Sequence, residues 1–503
     1  MTAVEAVSVS EAPVQPQLRR GTLRRLADRK LLAALVLGVS LFTGSVLRLW
    51  LATHDDGIFW PDEIYQSLEP AHRLVFGYGL VAWEFRDGAR NWAFPGFVAL
   101  LLKACSLVGI TDSRTYVMVI RGVFCLVGTA TAAATYRLAR TVGATALSAA
   151  VAASLFALSA PAIFYAPRAM SESAAALVVV LGLTLALRPE ARAWQLALGA
   201  ALLALAVMLR LQTAIFGLGL VAVLAAAAER RAALMVLTVF AAGMLVFGLV
   251  DLVTWGSWFH SAVTYVRVNL VEGRSSVWGT ASIVYYPVVL INSMGLAGFL
   301  MLALAALAVR RSPRLWVLGA AFLIAHSLIP HKELRFIFPA LPVACALAGV
   351  GLDEFVGRAP VWMSRSLAAV LAASIVFSAA TFHQLTFRDL GSQPVVGGPR
   401  SSAYDFGGPA NRLLLQASAR SDLCGIKVES TLIEWTGGYS YLHRQVPIYR
   451  FDGPSRQSGR FNYVIARAGS VPPHEVVAVD GKQVLARLPM TRCTPDPGPP
   501  LGL

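Results

Sequence analysis

The amino-acid sequence predicts an all-α polytopic membrane protein that carries a small α/β domain at its C-terminal end. Hydrophobic residues make up 56% of its 503 residues and charged residues only 14%, and the mean hydropathy is +0.63. A soluble domain is far less apolar than this. Apolar runs of bilayer-spanning length recur between short basic connectors, whereas the chain after residue 382 is richer in glycine, proline and polar residues.

The positive charge of the chain indicates membrane topology. A net charge of +15 would suggest a nucleic-acid partner in a soluble protein. Here the arginines and lysines fall between apolar runs, so we expect no nucleic-acid partner. Residues 1–30 form a basic segment that we expect to stay in the cytoplasm, and its cationic residues are Arg19, Arg20, Arg24, Arg25, Arg29 and Lys30.

Residues 31–381 form the predicted transmembrane domain, with about eleven spans. The first span covers residues 31–51. The others are predicted near residues 115–137, 143–165, 171–187, 193–209, 212–228, 232–253, 283–308, 314–329, 336–355 and 364–381.

The apolar stretch 93–110 decides the orientation of every later span. If it crosses the bilayer, each later assignment is inverted. We interpret it as a juxtamembrane or re-entrant helix within a first extracytoplasmic loop formed by residues 53–114.

Residues 382–503 are predicted to form the extracytoplasmic α/β domain. Short strand-like stretches lie at residues 425–429, 447–451, 463–466 and 475–479. The aromatic segment 434–443 is interpreted mainly as the core of this domain, and contact with an acceptor is the alternative.

The five cysteines fall into two groups. Cys105, Cys125 and Cys345 lie in or near apolar segments and are expected to be packed side chains. Cys424 and Cys493 fall in the C-terminal domain, where an oxidising compartment would allow a disulfide. The sequence leaves that pairing open.

The acidic pair Asp62-Glu63 is the most informative polar feature, since it follows the first apolar run almost directly. Carboxylates are costly in hydrocarbon, so this pair must lie in a wet loop or in a polar cavity. One of the two carboxylates would suit a general base for sugar transfer. An ordinary solvated loop has the same appearance.

A second charged cluster lies between two apolar runs and contains His331, Lys332, Glu333 and Arg335. It is either a charged helix cap with snorkelling side chains or an anion-binding site. The isolated basic residues Arg168 and Arg210 would favour the anion site if they converged on the same face. For each of them alone, capping or snorkelling is an equally good interpretation.

Both acidic and basic clusters resemble sequences of a known family. The first loop resembles that of the eukaryotic lipid-linked mannosyltransferases of N-glycan and glycosylphosphatidylinositol assembly, family 22 of the GT-C glycosyltransferases. The matching segments are Pro61-Asp62-Glu63-x-Tyr65-Gln66-Ser67-Leu68-Glu69, Gly77-Tyr78-Gly79 and Trp83-Glu84-Phe85. The family signature is matched closely by His331-Lys332-Glu333-x-Arg335-Phe336-x-x-Pro339.

Weaker matches extend this resemblance from about residue 40 to 350. They are Arg168-Ala169-x-Ser171, Leu209-Arg210-x-x-Thr213-Ala214, Asp251-x-x-x-Trp255-Gly256 and the stretch 269–279. Leu211 and Gln212 stand where the family usually has proline, and the chain after residue 382 has no counterpart.

The resemblance implies a GT-C fold and an inverting transfer of a sugar, with mannose as the implied sugar. The partners are then the membrane lipid, a polyprenyl-phosphate-linked donor and a glycan or glycolipid acceptor. Asp62 takes the family's position of the catalytic base, and Glu63 orients it or binds the acceptor, although the two roles are exchangeable. The implied donor-phosphate set is His331, Lys332, Arg335, Arg210 and Arg168.

Acceptor or sugar contacts are expected from aromatic and polar residues of the same loop, namely Glu84, Trp83, Tyr65 and Gln66. Pairing of the Glu84 carboxylate with Arg86 or Arg90 is an equal alternative to a sugar contact. No Asp-x-Asp motif and no metal-ligand spacing of His or Cys is present in the sequence, so we expect neither a metal nor a cofactor.

The high alanine and arginine content suggests a bacterial cytoplasmic membrane, with the site on its extracytoplasmic side. A polyprenyl-phosphate lipid or solute transporter without chemistry is the alternative function. Polar clusters at the ends of apolar runs, rather than within them, favour the enzyme.

Overall fold

A computed structural model describes residues 16–392, 398–489 and 492–495. Within these residues, five helices are long and apolar enough to cross a membrane: Lys30–His54, Ser113–Thr141, Arg230–Trp255, Leu334–Arg358 and Val361–Ala380. Seven shorter apolar helices accompany them: Ala93–Leu107, Ala146–Ala157, Ser171–Ala186, Ala193–Leu209, Leu211–Ala226, Leu296–Leu307 and Pro313–Leu328. The chain is therefore a multi-pass membrane protein of mainly helical structure.

The helix boundaries differ from the predicted spans in three places. The first helix already begins at Pro16, so the basic segment continues into the first apolar run. The predicted span 143–165 is divided into Ala146–Ala157 and Ala160–Phe164, because Pro161 cannot continue a preceding helix but suits the first turn of a new one. Gly295, at φ 62° and ψ −144°, divides the span predicted at 283–308. The count of about eleven stays a prediction.

Small residues let the apolar helices approach closely. Gly182 on Ser171–Ala186 faces Gly199 on Ala193–Leu209, and a Cβ atom added to Gly199 would lie 2.9 Å from the carbonyl oxygen of Gly182. Such contact between backbones is a usual means of helix association in membranes, where burial of apolar surface provides little drive. The core of the bundle is correspondingly rich in buried alanine.

The first loop contains short helices: Ile64–Leu68, Glu69–Phe76, Trp83–Arg86 and the 15-residue helix Ala93–Leu107. The last of these is about 22 Å long at 1.5 Å per residue, which is less than the hydrocarbon thickness of about 30 Å. It packs against Glu69–Phe76. Because Ser171–Ala186 is similarly short, the juxtamembrane interpretation stays a prediction.

The C-terminal domain is built on a five-stranded sheet in the spatial order Ile448–Tyr449, Ile426–Val428, Tyr463–Arg467, Gln483–Arg487 and Val476–Asp480. The first three strands are parallel and the last two pair antiparallel. All four predicted strands are present, but the sequence analysis missed Gln483–Arg487. The helix Gly408–Ser418 packs on this sheet, and a disulfide joins Cys424 to Cys493. Cys105, Cys125 and Cys345 are buried and free, as predicted.

The C-terminal domain docks on the first loop through buried hydrogen bonds. The fully buried carboxylate of Glu69 accepts from the backbone N–H of Ser440 at 2.5 Å and from that of Leu80 at 2.7 Å. Burial raises the pKa of Glu69 to about 7. Next to it, His72 Nε2 lies 2.9 Å from His443 Nδ1. The loop and the domain therefore share one polar interface.

Candidate active site

A cavity of about 600 Å³ lies where the first loop, the ends of several helices, the segment 331–336 and residues 432–435 of the C-terminal domain meet. The cavity lining brings together these residues that the sequence analysis singled out: Asp62, Tyr65, Gln66, Trp83, Glu84, Arg210, His331 and Arg335. Residues distant in the sequence thus converge on one space.

Asp62 and Arg335 form the central ion pair of this cavity. Asp62 Oδ2 lies 2.8 Å from the Arg335 guanidinium, and the Asp62 side chain keeps 25% of its surface exposed. Arg335 itself is buried and is oriented by Glu333, whose carboxylate accepts hydrogen bonds from Nε at 2.7 Å and from Nη2 at 3.1 Å. This two-point contact fixes the plane of the guanidinium.

Glu333 remains a carboxylate despite its burial. Burial alone would raise the pKa of Glu333, but Arg335 and His331 together lower it to about 2. His331 reaches Glu333 at 3.1 Å through Nε2 and reaches the carbonyl oxygen of Gly279 at 2.9 Å through Nδ1. A negative charge therefore holds the phosphate-binding candidates in place.

Glu172 connects the two arginines of the cavity. Its Oε1 atom lies 3.2 Å from the guanidinium of Arg210 and 3.9 Å from that of Arg335. Arg210 directly follows the helix Ala193–Leu209, and its guanidinium also lies 5.3 Å from the centre of the Phe336 ring. Two buried guanidiniums are thus kept close together by a carboxylate between them.

The remaining loop candidates form the other side of the cavity. Gln66 Nε2 donates to Glu84 at 2.6 Å, and burial followed by the nearby charge of Asp62 raises the pKa of Glu84 to about 7. Tyr65 donates its hydroxyl to the carbonyl oxygen of Ile433 at 2.6 Å. Trp83 lines the cavity as a partly exposed ring suited to stacking.

Three predicted site residues lie outside the lining of this cavity. Glu63 pairs with Arg168, both carboxylate oxygens being 3.0 Å from Nη1, and Asp55 Oδ2 contacts the same guanidinium at 2.8 Å. Lys332 Nζ donates to the carbonyl oxygen of Ala281 at 2.8 Å. The structure thus brings Glu63 and Arg168 together, but away from Asp62 and Arg335.

The sequence analysis did not select several residues of the lining. Glu172, which lines a smaller adjoining pocket, was not selected either, although an acid at the start of an apolar run was the available signal. Trp60 precedes the acidic pair directly, and Trp435 belongs to the aromatic segment that was interpreted as core. His326 is a lone histidine within an apolar helix, and Tyr286 is one of an adjacent tyrosine pair. A smaller polar pocket of about 50 Å³ shares Asp62, Arg210 and Arg335 with the cavity.

The described residues contain no group of three or more His, Cys, Asp or Glu side chains that could hold a metal ion. The expectation of chemistry without a metal or cofactor stays a prediction.

A known protein family matches most of the chain. The model of the Alg9-like mannosyltransferase family matches residues 40–391. The chain belongs to this family.

Among curated relatives, GPI mannosyltransferase 3 of Yarrowia lipolytica is 31% identical over 317 residues, which are 62% of each chain. GPI alpha-1,2-mannosyltransferase 3 of Danio rerio is 26% identical, over 69% of this chain and 65% of the relative. The match thus spans somewhat less than two thirds of the length of these two relatives.

Solved structures show the same fold at much lower sequence identity. ArnT from Cupriavidus metallidurans bound to undecaprenyl phosphate aligns with 92% of this chain and 99% of its own, at a TM-score of 0.59 and 14% identity. The Archaeoglobus fulgidus oligosaccharyltransferase covers 86% of this chain and 69% of its own, at a TM-score of 0.55 and 12% identity. The fold is that of the GT-C enzymes.

Proposed function

We propose that this protein is an inverting glycosyltransferase that moves mannose from a polyprenyl-phosphate donor to a glycan or glycolipid acceptor. The pairing of Asp62 with Arg335 inside the 600 Å³ cavity carries the proposal. It places a partly exposed carboxylate and a buried guanidinium in one cavity, so a base and a phosphate ligand are both available to one bound sugar. Membership of a mannosyltransferase family supports this reaction.

The proposed reaction is a single displacement. The acceptor hydroxyl oxygen forms a bond to the anomeric carbon as the bond from that carbon to the phosphate oxygen breaks, and Asp62 takes the hydroxyl proton. The electron pair of the broken bond leaves with the polyprenyl phosphate, whose charge Arg335 and Arg210 stabilise. Phosphate is a good leaving group, so no general acid is needed.

The other acidic residues of the region orient the reacting groups. Glu333 and Glu172 hold the two arginines, and their own charge is already balanced by these contacts. In this proposal Glu63 keeps the first loop in place through Arg168. The identity of the donor sugar rests on the family alone.

We also propose an extracytoplasmic active site in a bacterial cytoplasmic membrane. Trp435 and Glu434 of the C-terminal domain line the cavity, and the same domain contains the Cys424–Cys493 disulfide. Disulfides persist mainly in oxidising compartments, so the domain and the cavity wall that it provides belong on that side. The bacterial source rests on composition.

The test uses purified protein, radiolabelled polyprenyl-phosphate-mannose and a lipid extract of host membranes. We expect Asp62→Asn to lower the transfer rate about 10²- to 10⁴-fold, the usual contribution of a general base, while donor binding persists. Asp87→Asn, a change of an exposed residue on the same loop, is the matched control and should leave the rate unchanged.

If Asp62→Asn transfers mannose at the full wild-type rate, Asp62 is not the catalytic base. If the wild type binds the donor without transferring mannose and flips the lipid in liposomes, the protein is a transporter and the proposed enzyme activity is rejected.

A further inference from the structure

The lining of the 600 Å³ cavity includes three residues with a polar atom that has no hydrogen-bond partner within the described part of the chain. These atoms are His326 Nε2, Tyr286 Oη and Gln212 Oε1. His326 and Tyr286 keep only 4% and 0% of their surface exposed. A buried polar group without a partner costs free energy, so its persistence in a cavity wall points to a ligand that supplies the partner.

The hydrogen bonding of His326 determines which kind of ligand group it can meet. Its Nδ1 atom lies 2.8 Å from the carbonyl oxygen of Phe322. A carbonyl oxygen only accepts, so Nδ1 carries the proton and the Nε2 atom of the neutral ring presents a lone pair. Packing of the imidazole against the tilted Phe322 ring, at 4.2 Å between centres, holds that orientation.

The neighbouring groups extend this acceptor character. The side-chain amide of Gln212 donates to the hydroxyl of Tyr265, which leaves Gln212 Oε1 as a second acceptor. The Tyr286 hydroxyl donates or accepts. Between these polar atoms the wall is apolar, with Ala214, Ile215, Ala325 and Ile329.

This wall does not suit a phosphate, which offers acceptor oxygens to the lone pair of His326. A sugar hydroxyl suits it, because the hydroxyl donates to one acceptor and accepts from a second group. Gln212 follows Arg210 by two residues, in the short helix Leu211–Thr213, so the hydroxyl-binding wall begins beside the proposed phosphate ligand. A phosphate ligand and an adjacent wall of neutral acceptors match the two ends of a sugar phosphate.

We propose that His326, assisted by Tyr286 and Gln212, forms a subsite that accepts a hydrogen bond from a sugar hydroxyl. The subsite deepens and rests on the proposed function, and the hydroxyl belongs either to the donor sugar or to the acceptor.

Binding of two lipid probes to the purified full chain tests the subsite. Polyprenyl-phosphate-mannose carries the sugar and polyprenyl phosphate does not. If the hydroxyl is on the donor, His326→Phe weakens binding of the mannosyl lipid about 3- to 10-fold, as expected for one hydrogen bond, and leaves binding of polyprenyl phosphate unchanged. His326→Gln restores an acceptor and should recover most of that loss.

If the hydroxyl is on the acceptor, the affinities of both lipids stay the same. His326→Phe then raises the KM for octyl mannoside, used as the acceptor probe, by a similar factor. Ser327→Ala is the matched control on the same helix turn, since its hydroxyl bonds to the carbonyl oxygen of Leu323 and does not line the cavity. Tyr286→Phe, which removes one hydroxyl only, serves as a second variant if His326→Phe does not fold.

Equal weakening of both lipids by His326→Phe would overturn the subsite in favour of a phosphate contact. Unchanged lipid affinities together with an unchanged KM would also overturn it. These failures differ from failure of the proposed function, in which the wild type transfers no mannose to any acceptor. If the wild type transfers mannose and both variants bind and transfer as it does, the proposed function stands and only the subsite is rejected.

Discussion

Glu84 is the residue at which the charge of the cavity changes near neutral pH. Its pKa is raised from the ordinary value of 4.5 to about 7, first by burial and then by the charge of Asp62. Between these two pH values the folded chain holds a proton on Glu84 that the unfolded chain has lost. The contribution of this group to the free energy of unfolding therefore falls as the pH rises through this window.

We expect Glu84→Gln to remove this pH-dependent loss of stability, because the amide stays neutral and its oxygen still accepts a hydrogen bond from Gln66. The variant should gain stability over the wild type as the pH rises from about 4.5 to 7, by at most about 3 kcal/mol, since one pKa unit corresponds to about 1.4 kcal/mol. Thermal unfolding in detergent across this range measures the difference. A difference that does not depend on pH would contradict the raised pKa.

At the scale of elements, the contacts of Arg168 with Glu63 and with Asp55 join the start of the first loop to the turn before the helix Ser171–Ala186. All three side chains are buried, and in Glu63→Gln the charge of Arg168 is still balanced by Asp55, so the change removes charged hydrogen bonds without leaving an unpaired ion. We expect Glu63→Gln to lower the free energy of unfolding by about 1.5–3 kcal/mol, the usual contribution of hydrogen bonds to a charged group. Transfer per folded molecule should fall far less than in Asp62→Asn.

The exposed pair of Glu229 and Arg314 provides the comparison for Glu63→Gln. Glu229→Gln should cost less than about 1 kcal/mol, because solvent screens an exposed pair. If Glu63→Gln instead leaves stability intact and abolishes transfer, Glu63 rather than Asp62 is the base.

The acidic pair shows how far the sequence could predict the site. Consecutive residues on a helical turn project about 100° apart, so Asp62 and Glu63 cannot both face the cavity. The motif predicts that an acid is present, but only packing decides which of the two faces the cavity. Arg168 shows the same limit, because a lone arginine in the sequence does not reveal whether its partner is a ligand or a neighbouring carboxylate.

The elements themselves were more predictable. Apolar runs predicted the helices because hydropathy is a local property, and four of the five strands of the C-terminal domain were predicted from short strand-like segments. Breaks at Pro161 and Gly295 were missed, since the hydropathy of the runs continues across both residues. The contact of Glu172 with both arginines depends on helix packing and has no signature in the sequence.

For the whole molecule, the pair of His72 and His443 should make the interface of the first loop with the C-terminal domain less stable in acid, whereas the raised pKa of Glu69 acts in the opposite direction. Burial lowers the pKa of His72 to about 4, and burial also lowers the pKa of its partner His443. The unfolded chain binds protons at these residues from about pH 6.5 downward, whereas the folded chain resists protonation. The stability that they contribute is therefore complete above pH 6.5 and is lost as the pH falls towards 4.

We expect the double variant His72→Asn and His443→Asn to lose less stability than the wild type between pH 6.5 and 4.5. Limited proteolysis of the C-terminal domain, followed across this range, reports the opening of the interface. Exposed His383→Asn is the control and should follow the wild type. Parallel curves for the double variant and the wild type would show that the histidine pair does not set the acid sensitivity.

The position of Trp435 and Glu434 in the cavity wall has a consequence for biosynthesis. A ribosome releases these residues only after the last long helix, Val361–Ala380, has been made. The growing chain therefore contains Asp62 and Arg335 well before it contains a closed cavity. A translation product interrupted after Val361–Ala380 would lack Trp435 and Glu434, so in the proposed enzyme closure of the site follows synthesis of the membrane helices.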